Sequence, residues 1–121
     1  MQETTEQIQN FLQFITLQFI QHPDDAQLKV TEVDEEHIRF RLALHTSDVA
    51  LLIGRNGFTA SAIRNVLKAA AIRDGITATL QIVSTEEEQQ RLKAIEEGKI
   101  IEEHLPVDLH DETDDEHLEE A

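Results

Sequence analysis

Near the start of the chain Ile8, Phe11, Leu12, Ile15 and Phe19 recur at spacings of three and four, which places them on one side of a helix. Thr4 with Gln7 three positions on has capping-box spacing, so the helix is predicted over about residues 5–21. His22-Pro23-Asp24-Asp25 ends it, because proline breaks the helical hydrogen-bond ladder and biases the residue before it away from the α conformation. The period then drops to two. Leu28 to Val33 and His37 to Leu44 are β-rich runs joined by Asp34-Glu35-Glu36, a connection of hairpin length. In the second run Ile38, Phe40, Leu42 and Leu44 alternate with His37, Arg39, Arg41 and Ala43, predicting one buried and one wet face.

Thr46-Ser47-Asp48 supplies N-cap chemistry for a short helix, Val49 to Ile53, which Gly54-Arg55-Asn56-Gly57 interrupts. A second helix is predicted over about residues 59–74, with Ile63, Val66, Leu67 and Ala70 facing inward and Gly75 in the left-handed position that follows a helix. Ile76 to Val83 alternates again as a third strand, with Ile76, Ala78, Leu80 and Ile82 on one side. The order is α-β-β-α-α-β, an α+β chain whose apolar stripes are most simply buried by a three-stranded sheet with its helices packed on one face.

Beyond Val83 the character changes. Ser84-Thr85-Glu86-Glu87-Glu88 opens with capping-box spacing, and Leu92, Ile95, Ile100, Ile101 and Leu105 predict a short weak helix over about 85–104, strained by Gly98. From Pro106 onward the sequence is acidic and without apolar periodicity, which predicts disorder. The expected division is a domain at 1–83 and an acidic C-terminal extension at 84–121.

Charge sharpens that division. The 121 residues carry a net −15, which taken alone argues against nucleic acid, since phosphate binding rests on Lys and Arg. Residues 1–83, however, hold 10 acids against 7 bases, while 84–121 hold 15 against 3. From Gly54 to Arg73 the chain has Arg55, Arg64, Lys68 and Arg73 and no acid at all, so the local field there is positive. The absence of cysteine excludes disulfides, zinc-thiolate sites and thiol catalysis, and fits a reducing, cytoplasmic setting. No apolar run approaches the ~20 residues that span a bilayer. No cofactor is expected. The groups available for acid-base or metal chemistry, His104, Asp108, His110, Asp111 and His117, lie in the acidic extension where no geometry is held, so neither an enzyme nor a built metal site is expected.

Two glycines three apart between a short and a longer helix admit two readings. One is a tight helical turn needing glycine's conformational freedom. The other is a loop whose bare backbone lets a phosphodiester approach, with N–H groups and Arg55 turned to the phosphates. The spacing is not that of a Walker A loop.

The string Ile53-Gly54-Arg55-Asn56-Gly57, preceded by Val49 to Leu52 and followed by Phe58 to Ala71, closely resembles the GxxG region of KH domains, and the element order matches their type II form. More narrowly, the chain resembles the small bacterial KH proteins of the KhpA type, through His22-Pro23-Asp24 and Ala-Ile-Arg-x-Val-Leu-Lys-Ala-Ala at 62–70, over about residues 8–83. The resemblance implies binding of single-stranded RNA, and pairing as a homodimer or with a larger Jag-type KH protein in RNA-linked control of cell elongation. It implies that Gly54 and Gly57 permit close approach, Arg55 and Asn56 meet phosphates, and Ile53 floors a base-binding groove. Arg64 and Lys68 are then outer phosphate contacts or solvated helix residues. With Phe58 the only aromatic near the loop, base recognition is expected to use groove shape and backbone groups instead of stacking.

Two features depart from the family. Many relatives carry Lys in the loop, often with a second base, whereas this loop has one Arg, which predicts weak, salt-sensitive, sequence-tolerant binding, suited to a chaperone or post-transcriptional regulator. The acidic extension exceeds the resemblance; it either solubilises the chain or competes with RNA for the Arg55, Arg64 and Lys68 surface. The rival to RNA binding is a protein-interaction module, because Phe14, Leu17 and Val83 fall off the buried stripes and are left for a partner.

Overall fold

A computed structural model describes residues 2–98. Its elements are α1 (Gln2–Leu17), a 3-10 turn (Pro23–Asp25), β1 (Gln27–Asp34), β2 (His37–Leu44), α2 (Thr46–Ile53), a second 3-10 turn (Arg55–Gly57), α3 (Phe58–Arg73), β3 (Thr77–Ser84) and α4 (Thr85–Glu96). The α+β order expected from the periodicities is the one observed.

The sheet has the order β1-β2-β3. β1 and β2 form an antiparallel hairpin in which Leu28 faces Leu42 and Val30 faces Phe40. Asp34 already pairs with His37, so the turn itself is Glu35-Glu36, and it is closed by the Asp34 carboxylate accepting from the Glu36 N–H at 2.8 Å. β3 runs parallel to β2, with Phe40 opposite Leu80. Parallel neighbours need a crossover, and α2 and α3 provide it.

Ile38, Phe40, Leu42 and Leu44 of β2 with Ala78, Leu80 and Ile82 of β3 meet Ile8, Leu12, Leu52, Ile63, Leu67 and Ala71 from α1, α2 and α3 in one core. On α3 the buried line is Ala60, Ile63, Arg64, Leu67 and Ala71, and Val66, expected inside, is half exposed. At ~100° per residue Val66 lies about a third of a turn off the centre of that line.

The capping box expected at Thr4 is absent, because α1 already begins at Gln2 and Thr4 is buried within it. The Thr4 hydroxyl donates to the Asp74 carboxylate at the end of α3, and Arg73 donates to Gln7 Oε1 at 3.0 Å, tying the start of α1 to the end of α3. α1 also stops at Leu17, four residues short of the expected end, and Phe19 is exposed. Long-range capture explains this: the N–H groups of Gln21 and His22 donate to Asp48 on α2, at 2.9 and 2.8 Å, which draws the chain out of the helix before Pro23.

The sheet's second face, expected to be wet, is covered where Arg39, Arg41, Ala43 and Gln81 are buried, and Val83, expected to be left for a partner, is buried there too. α4 supplies the cover. Its capping box is made, with the Glu87 N–H donating to Ser84 Oγ and the Ser84 N–H to Glu87 Oε1, both at 3.1 Å. One turn in, buried Glu88 meets Lys29 Nζ at 2.7 Å, Arg91 at 3.1 Å and Arg41 Nε at 3.9 Å. Gly98 follows the end of α4 with φ +77. The remainder of the helix expected to residue 104, and the expected disordered segment, lie outside the described residues. Among the described residues no helix is long and apolar enough to cross a membrane.

Candidate nucleic-acid interface

α2 begins at an unexpected cap. His45 is the N-cap residue, and its Nδ1 accepts from the Ser47 N–H at 3.2 Å, where Thr46, Ser47 or Asp48 was expected to cap. Asp48 sits in the first turn fully buried, and it accepts the Gln21 and His22 N–H groups and lies 3.3 Å from His22 Nδ1. The His22 ring stacks on His45, centroids 4.0 Å apart and planes 17° from parallel. The His22-Pro23 turn is thereby fixed to the helix that leads into the glycine loop.

Burial opposes ionisation of Asp48, but the Gln21 and His22 N–H groups and the nearby His22 ring outweigh it and hold the carboxyl below its usual value. The hydrogen bond from Thr4, followed by that from Arg73, lowers Asp74 likewise. A depressed folded-state pKa contributes stability that is present above the unfolded value near ~3.9 and is lost as pH falls through the folded one. Urea midpoints measured from about pH 5 down to 2 are therefore expected to fall, and Asp48→Asn to start lower at pH 5 and decline less steeply; parallel declines would count against this account.

The loop itself leaves little choice of residue. Gly54 has φ +79 and ψ 176, a combination confined to glycine. A Cβ there would lie 2.4 Å from Thr59 Oγ1, 2.8 Å from Thr59 Cβ and 3.1 Å from the Thr59 backbone nitrogen. Asn56 (φ +56) and Gly57 (φ +76) are left-handed, which Asn tolerates and Gly adopts freely. The Gly57 N–H donates to the Gly54 carbonyl at 3.1 Å and closes the turn. α3 then starts with no side-chain cap, so the positive end of its dipole opens onto this bare backbone.

The expected site residues divide into three groups. Gly54, Arg55, Asn56 and Gly57 are together in the turn, with Arg55 and Asn56 exposed and half-buried Ile53 packed against the core below. Lys68 is exposed, but ten residues up α3 it stands roughly 15 Å along the helix from the loop. Arg64 does not face outward. It is buried, and its Nε donates to the Leu80 carbonyl at 3.2 Å, bracing α3 against β3. The spacing i, i+3, i+4, i+7 and i+11 of Ala60, Ile63, Arg64, Leu67 and Ala71 carries that burial in the sequence. His22, His45 and Asp48, which set the approach to the loop, left no local signal because their contact spans 26 residues.

A hairpin, a parallel third strand reached through two helices, and a GxxG turn between those helices together define a type II KH domain. The chain belongs to the KhpA/KhpB family, whose KH-domain model matches residues 9–82. It is 32% identical over 79 residues to the RNA-binding protein KhpA of Bacillus subtilis, covering 65% of this chain and 96% of that protein. Identity to the KhpA of Clostridium acetobutylicum is 32% over 77 residues (63% of this chain, all of that protein), and to that of Chlamydia muridarum 29% over 76 residues (63% and 96%). No solved structure matches the chain. The family match ends before α4.

Proposed function

We propose that this protein is a cytoplasmic binder of single-stranded RNA, weak and tolerant of sequence, acting as an RNA chaperone or post-transcriptional regulator. The observation that carries this reading is the Gly54–Gly57 turn. Its two glycines leave backbone bare on which a phosphodiester can settle, and Arg55 and a helix end with no side-chain cap stand beside it. The RNA-binding names of the KhpA relatives agree with it. Arg64, spent on the Leu80 carbonyl, is left out of the contact set.

Crosslinking and sequencing of bound RNA, comparing the natural chain with Arg55→Asp, tests the reading. Arg55 is exposed, so the fold tolerates the change, and RNA recovery that stays the same would sink it. With so few cations at the loop, log affinity for oligo(U) is expected to fall against log salt with a slope of about −1 to −1.5, flattened by about 0.7 in Arg55→Ala. Lys68→Ala is expected to change affinity less than about twofold, because it lies beyond a Debye length of ~8 Å at physiological salt.

A second reading, association with another copy or with a larger Jag-type KH protein, is favoured by Phe14 and Leu17 on α1 and by Val66 and Ile72 on α3, all half exposed or more. On that reading Val66→Asp lowers the sedimenting mass and leaves RNA affinity per chain unchanged.

A further inference from the structure

Phe58 is 67% exposed on the first residue of α3, directly after Gly57. Two of the five phenylalanines, Phe11 and Phe40, pack into the core, whereas Phe58 belongs to no core cluster and forgoes burial. The Cα–Cβ bonds of a helix tilt toward its N-terminus. On the first residue of α3 that tilt is toward the GxxG turn, which immediately precedes it. Its own backbone is ordinary helix, φ −58 and ψ −44, so nothing in the chain's path forces the ring outward. Along α3 its exposed neighbours are Ala62 and Asn65, and the next bulky apolar group, Val66, is about 12 Å further along the axis. Of the exposed bulky apolar groups flanking the turn, Leu51 on α2 and Phe58 on α3, only Phe58 carries a ring, and the exposed Arg55 is three residues before it.

We propose that Phe58 is a stacking platform for one base of the strand whose phosphates lie on the Gly54–Gly57 turn. The inference rests on the RNA-binding reading above and replaces the expectation that bases are recognised without stacking. A bare cationic backbone track beside an aromatic face is the pairing that holds single strands without reading their sequence, since every base has a π-face. One ring supports one base, so the contribution is confined to one nucleotide position.

The test uses the full chain and a short oligo(U), scanned with a single abasic nucleotide and, separately, a single 2-aminopurine. Phe58→Ala and Phe58→Leu are expected to weaken binding by roughly fivefold or more, and Phe58→Trp to retain it. One abasic position should cost the natural chain the same factor and cost Phe58→Ala nothing, with the 2-aminopurine quench at that position lost in Phe58→Ala. Equal abasic losses in both chains at every position would overturn the proposal, as would a Phe58→Ala defect that tracks a drop in sedimenting mass, which would place the ring in a protein interface. If Phe58→Ala binds normally while Arg55→Asp does not, stacking alone fails; if neither substitution alters binding, the RNA reading itself fails.

Discussion

Gly57→Asp is expected to lower single-stranded RNA affinity by at least about tenfold while the protein stays folded. Gly57 occupies the left-handed region, φ +76 and ψ 11, which Asp enters at a cost of about 1–2 kcal/mol. In a domain of this size that lowers the melting temperature by roughly 4–16 °C. The new carboxylate stands beside the path of a phosphodiester, where like charges about 4 Å apart repel by ~1 kcal/mol in water and ~4 kcal/mol near a protein surface. Gly57→Asn carries the same backbone demand without the charge, so the difference between the two variants isolates electrostatics at the loop. Gly54→Asp is a poorer instrument. Its φ and ψ are closed to other residues at a cost of about 1–3 kcal/mol, and although the Thr59 hydroxyl can rotate away from a Cβ, Thr59 Cβ at 2.8 Å and the Thr59 nitrogen at 3.1 Å cannot. Loss of RNA in that variant would report a rebuilt loop. Titration of labelled oligo(U) alongside thermal melts checks both expectations; Gly57→Asp that is folded and binds as before would remove the turn from the interface.

What was legible in advance was whatever local pattern fixes. The alternation from His37 to Leu44 marks β2 to the residue, since one slip would turn Ile38, Phe40, Leu42 and Leu44 out of the core. Gly75 closes α3 with φ +73, and the Ile76 N–H reaches the Ala71 carbonyl at 3.0 Å, as a left-handed helix end requires. The glycine turn was legible because only its spacing between two helices gives it meaning. Features fixed by distant partners were not. The end of α1 is decided by Asp48, the role of Thr4 by Asp74, and the setting of Arg41 by a helix that follows all three strands. Arg64 misled for a different reason: its charge suggested phosphate, while its position on the Ala60–Ala71 line already placed it inside.

Glu88→Ala is expected to cost about 3 kcal/mol of folding stability, a fall in melting temperature of roughly 12–24 °C. Removing one member of a buried ionic cluster takes a counter-charge from the desolvated groups around it, which typically costs about 3–5 kcal/mol. The lower end applies because the Lys29 side chain is 39% exposed and keeps part of its hydration, whereas Arg41 and Arg91 do not. Apolar contact is modest, with Ala94 and Ile95 only part-buried and Leu92 exposed, so Glu88 and the capping box are a large share of what ties α4 to the sheet. Thermal melts of Glu88→Ala against an exposed control, Glu86→Ala, check this; matching melts would mean that the ionic cluster around Glu88 contributes nothing to the fold. The same contact governs how the acidic extension must be studied. A chain cut before Thr85 loses Glu88 along with the acids that follow, and any change in its RNA affinity mixes unfolding with charge. A chain cut after Gly98 keeps α4 and still removes 10 of the 15 acids in residues 84–121, so a gain in oligo(U) affinity at low salt from that cut alone reports competition between carboxylates and phosphates at the loop.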